Sequence, residues 1–112
     1  MLTIEGLREF GADVDDGVKR CTGKEELYLK FVNRILEDED FPKLKEAILA
    51  KDFQNGFEYA HKLKGKLANL SLMPLLAPVE RMTESLRAGE DRDYSEDLKE
   101  MEEQKARFDA LF

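Results

Sequence analysis

The sequence holds one histidine, His61, and one cysteine, Cys21, far apart along the chain. A single thiol builds neither an intramolecular disulfide nor a Cys-rich zinc site, and one histidine with it makes no metal or haem site. No Ser/His/Asp or Cys/His catalytic arrangement can be assembled from these residues either. What remains open to His61 is the chemistry of a lone nucleophile. Lys64 follows it by three residues, one helical turn on, where a cation favours an unprotonated attacking nitrogen and stabilises an anion placed on it. Both effects suit a histidine that accepts a phosphoryl group. Gly65 comes next, and a glycine inside a helix costs about 1 kcal/mol relative to alanine. Something therefore requires the missing side chain: close approach of another molecule to the imidazole, or close packing of a neighbouring helix.

The element that must position these residues is a helix predicted over about 53–70. Asp52 caps its start, and Phe53, Phe57, Ala60, Leu63, Leu67 and Leu70 recur at helical spacing. On a wheel of about 100° per residue with Phe53 at 0°, the apolar stripe centres near ~325°. His61 falls near ~80°, Lys64 near ~20°, Ala68 near ~60° and Gly65 near ~120° on the same wheel. His61 thus belongs at the rim or outside, in a low-relief patch of one cation and two very small residues.

Apolar intervals of three and four run through the rest of the chain, which holds only three prolines and seven glycines. A helix over about 23–39 starts from a capping box formed by Thr22 and Glu25. A shorter helix over about 41–50 follows the acidic run Glu37 to Asp40. After Ser71 another apolar stripe runs to Gly89, a natural helix stop, with Pro74 suited to a first turn and Pro78 predicting a kink or a delayed start. A last helix is expected over about 94–111. Ahead of all these, Leu7 and Phe10, then Val14 and Val18 behind an Asp13 cap, suggest brief helices that cover an open end. Short connections between amphipathic helices predict an all-α fold, an up-and-down antiparallel four-helix bundle with short N-terminal capping helices, as a single domain over 1–112.

Composition narrows the function classes. With 18 basic and 25 acidic side chains the formal charge is −7, which argues against a nucleic-acid partner. Eight acids and two bases between Glu90 and Glu103 carry most of that charge, as expected of a solvated helix face. No apolar run approaches the roughly 20 residues of a membrane span, and the N-terminus lacks a signal peptide's pattern. A cytoplasmic, monomeric protein with no membrane partner is the expectation.

The segment Ala60 to Leu70, AHKLKGKLANL, resembles the signature A-H-x-L-K-G-x-x-x-N-L of the histidine-containing phosphotransfer (HPt) domain family. Upstream, Gly11 to Tyr28 resembles the family's approach to this region, and downstream Leu86 to Gly89, LRAG, resembles the end of the helix after the histidine helix. The resemblance spans about 11–89, and the final helix matches only in character. It implies that His61 is the phosphoryl-accepting residue, that Lys64 contacts the phosphoryl group, and that Gly65 gives a partner access. Asn69 matches a structural asparagine. Ser71 stands where the family commonly has glycine, and Lys62 and Lys66 replace residues that are often small and polar.

The function so implied is that of a phosphocarrier in a multistep phosphorelay, exchanging a phosphoryl group with the aspartate of response-regulator receiver domains, with a hybrid sensor kinase as a further partner. Phe57, Gly65 and Ala68 are the expected docking residues. No cofactor of its own is expected, since the magnesium belongs to the receiver, and the chain is a phosphotransfer protein and not an autonomous kinase. Lys62 and Lys66 point away from His61 and are left to steer an acidic partner at long range. The competing readings are a helical binding module with an inert histidine and an independent enzyme using His61 as acid or base.

Overall fold

In a computed structural model, which describes all 112 residues, the chain forms seven helices and no strand. They are α1 (Ile4–Phe10), α2 (Val14–Arg20), α3 (Glu25–Ile35), α4 (Asp40–Leu49), α5 (Phe53–Asn69), α6 (Met73–Arg87) and α7 (Ser95–Asp109). The chain is all-helical, as its apolar periodicity predicts, and no helix is long and apolar enough to cross a membrane.

The four helices after residue 39 pack in succession, α5 between α4 and α6, and α7 against α6. Cross-helix pairs fix their directions. Asp40 at the start of α4 meets Lys62 and Lys66 late in α5, whereas Gly56 early in α5 faces Ala47 and Ile48 at the end of α4. Arg87 at the end of α6 lies over Phe57 in the first half of α5. On α7, Glu102 pairs with Lys45 and Lys105 donates to the Leu36 carbonyl, so the last helix folds back along α4. Leu44, Leu63, Leu67, Leu75, Met82 and Met101 are fully buried between them, as burial of roughly 2 kcal/mol per large apolar side chain favours.

The three leading helices gather where α5 ends and α6 begins. The Phe10 ring packs on Phe108 of α7 at 5.8 Å, and the Asp13 amide donates to the Ser71 carbonyl at 3.0 Å. The fully buried Tyr28 of α3 donates its hydroxyl to the Leu70 carbonyl at 2.8 Å. Burial pushes that phenol up to about 12. Gly17 of α2 sits against the same ring, where a Cβ would come within 2.4 Å of the Tyr28 ring and 2.8 Å of the Leu70 carbonyl oxygen. The Ser71 departure from glycine is resolved here. Its φ of 52° lies in the left-handed region glycine favours, and its hydroxyl donates to the Asp16 carboxylate across the turn.

Several local expectations need correction. Thr22 and Glu25 do not form a capping box: Lys24 is the N-cap of α3 without a side-chain bond, and the Thr22 hydroxyl donates to the Cys21 carbonyl. Thr22 and Gly23 both have positive φ, so the chain turns there and cannot place the threonine as a cap. The helix predicted to reach 39 stops at Ile35, because the Asp38 carboxylate caps the Asp40 amide and opens α4. Nor does Pro78 delay its helix: α6 begins at Met73 and continues through the proline, whose ring is buried. One missing amide bond is tolerated where the rigid φ already suits a helix. Asp13 and Asp52 cap α2 and α5 through the amides of Asp16 and Asn55, as predicted.

Candidate functional site

His61 lies near the middle of α5 with its side chain exposed, on the helix face that the wheel assigned to it. Buried Ala60, Leu63 and Leu67 anchor the opposite side of the helix in the core, so the imidazole is presented from a rigid element. Phe57, one turn earlier and half-buried, stacks on the imidazole with ring centroids 5.5 Å apart and planes 20° from parallel. Neither imidazole nitrogen is engaged by another group of the chain, leaving both open to a reaction partner.

Gly65 is exposed, and a Cβ built there meets nothing within 4 Å. Of the two explanations for a glycine here, close packing of a neighbouring helix therefore has no neighbour to act through. Ala68 continues the same shallow strip, half-buried. His61, Gly65 and Ala68 form a surface with no large side chain standing above it, bounded by Phe57 on the side nearer the start of α5.

The Lys64 side chain is engaged by α6. Its ammonium donates to Glu84 Oε1 on α6 at 3.0 Å, and Arg87 Nη2 lies 3.8 Å from the same oxygen. The hydrogen bond and charge of Lys64, with Arg87 behind it, hold the Glu84 carboxyl below the usual carboxylate range. Arg87 also sits over the Phe57 ring at 5.5 Å, so α6 contributes two charged residues to this face. Neither was visible in the sequence, because only the apposition of α5 and α6 brings them near His61.

Lys62 and Lys66, expected to be free to steer a partner, are engaged within the chain. Lys66 pairs with Asp38 and Asp40, and Lys62 lies 3.4 Å from Asp40. Burial of Lys66 disfavours its charge, but the hydrogen bonds it donates to Asp38 and Asp40 outweigh this and leave the ammonium above its ordinary value. Asp40 is likewise pushed up by burial and drawn down further by Lys66 and Lys62, for a net position below the carboxylate range. The acidic run is thus a clamp between the start of α4 and the last turns of α5. Part of the later acidic stretch is also tied down: Asp97 binds Arg81 and Arg92, and Glu100 binds Arg81.

A family model, described as Hpt domain, matches residues 36–111. No curated protein and no solved structure matches the chain significantly. The match covers α4 to α7 and all of AHKLKGKLANL, and the chain belongs to the Hpt domain family. Where the motif resemblance ran over 11–89, the family match begins after α3 and takes in α7, whose sequence carried the family only in its general character. Membership places the chain among histidine-phosphotransfer proteins of phosphorelay signalling, whose partners are response-regulator receiver domains.

Proposed function

We propose that His61 is the phosphoryl-carrying residue of this domain, and that it exchanges the group with the phosphoaspartate of a receiver. An imidazole nitrogen forms the P–N bond while the P–O bond to the receiver's aspartate breaks, and the carboxylate leaves with the electron pair. The proton on the other imidazole nitrogen passes to solvent. Magnesium and the acidic pocket that holds it are the receiver's contribution, so this chain's part is to present a nucleophile in the right place. Lys64 supplies a charge-assisted contact to the phosphoryl oxygens, while Phe57, Gly65 and Ala68 form the surface on which the receiver docks. The scaffold is read as an up-and-down four-helix bundle, α4 to α7, with α1 to α3 across one end. The protein is taken to act as a cytoplasmic monomer, with a hybrid sensor kinase upstream.

The observation that carries this reading is the exposed His61, free of hydrogen bonds, beside a glycine whose missing side chain leaves open space. The test is incubation with phosphorylated receiver domains in the presence of magnesium, followed by assay for acid-labile, alkali-stable label on this chain. Transfer from at least one receiver supports the proposal. Receiver binding without transfer would instead support a binding module with an inert histidine.

A further inference from the structure

A chain of contacts runs from His61 across to α6 and back to α5: Phe57 stacks on the imidazole, Arg87 covers Phe57, Glu84 lies against Arg87, and Lys64 is bonded to Glu84. The α5 motif, Ala60 to Leu70, accounts for Lys64 but not for the carboxylate from α6. We infer that Glu84 is a positioning residue for the transfer: it holds Lys64 off His61 while the imidazole is free and releases it to the phosphoryl oxygens once the P–N bond has formed. The inference rests on the phosphocarrier reading of His61.

The physical basis is a competition between two anions for one ammonium. A phosphoryl group carries about −1.5 to −2 charge near neutral pH against −1 for a carboxylate, and offers three acceptor oxygens. It arrives on a residue one helical turn from Lys64, within reach of a long flexible side chain. The existing bridge is easily exchanged, because the Lys64 and Glu84 side chains are 29% and 55% exposed and water screens the pair. Glu84 also repels a phosphoryl dianion directly. Sequestration and repulsion act in the same direction: each lowers the share of phosphoryl groups that rests on His61, and so favours onward donation.

The experiment measures the equilibrium partition of phosphoryl groups between a receiver and this chain for four proteins: the parent, Glu84→Gln, Lys64→Ala and the double variant. Glu84→Gln is expected to shift the partition toward His61 by about two- to five-fold, the range for an exposed ion pair. Lys64→Ala should shift it the other way. In the Lys64→Ala background at least half of the Glu84→Gln gain should vanish, because the released partner is gone and only repulsion remains. An equal gain in both backgrounds overturns the inference, and so does no gain in either. A carbon-13 titration of the Glu84 carboxyl in the unphosphorylated protein is independent of transfer. It should move upward in Lys64→Ala, and a carboxyl that stays put shows that no bridge exists and overturns the inference alone. A parent chain that takes no label, with the titration moving as expected, overturns the phosphocarrier reading and this inference with it.

Discussion

At the scale of single residues, two glycines do opposite work, and the structure separates them. Gly17 is fixed by packing: with the Tyr28 ring 2.4 Å and the Leu70 carbonyl 2.8 Å from a built Cβ, there is no room for a methyl group. Gly17→Ala should destabilise the fold by about 1–3 kcal/mol, read as a lower midpoint in urea unfolding. Gly65 is open, so Gly65→Gln should keep at least parental thermal stability while losing most receiver binding and transfer. A variant that unfolds but transfers normally per folded molecule would assign Gly65 to helix packing. Ser71 gives a third case. Its left-handed backbone costs a non-glycine residue about 1–2 kcal/mol, offset by the bond to Asp16. Ser71→Ala loses the bond and keeps the strain, whereas Ser71→Gly loses both, so the glycine variant should melt above the alanine variant by several degrees. His61, Lys64 and Gly65 were legible because the motif fixes their types and spacing together. Gly17 was not, since its reason is a tyrosine ring from another helix that no local pattern reveals.

At the scale of elements, periodicity located all seven helices, while their ends depended on contacts outside each helix. The histidine helix was read almost to the residue, 53–70 against Phe53–Asn69, because Asp52 caps it and its apolar steps are regular. The helix at 23–39 was drawn too long because most of the acidic run was taken into it. Its aspartates instead clamp α5: Asp38 and Asp40 hold Lys66, and Asp40 faces Lys62. The clamp has a pH signature. Asp40 lies below its ordinary value in the folded chain despite its burial, so it binds protons less readily there than in the unfolded chain. Its stabilising contribution is therefore present above the unfolded aspartate value, about 3.9, and is lost as the pH falls through the lower folded value. Urea midpoints measured between neutral pH and pH 3 should fall more steeply for the parent than for Asp40→Asn, which has no carboxylate left to protonate. Parallel curves would mean that Lys66 gains nothing from Asp40.

At the scale of the whole molecule, α4 to α7 provide the rigid frame, and α1 to α3 close the end where Leu70 and Ser71 turn the chain. The exposed imidazole stands on the flank of that frame, away from the closed end, and the charges around it come from two helices. This is why the sequence pointed to His61 and Lys64 but not to Glu84, which holds the lysine. It is also why the substitution of His61 is the cleanest probe: the side chain is exposed and its loss opens no core volume, so His61→Gln should leave the helical circular dichroism and thermal midpoint unchanged. The most direct measurement is phosphoryl transfer from a phosphorylated receiver to the parent chain and to His61→Gln, with the modified residue located by mass spectrometry at alkaline pH. The prediction is one acid-labile phosphoryl group per parent chain, located on His61, and none on the variant. Label retained by folded His61→Gln, or found on any other residue of the parent, would contradict the account.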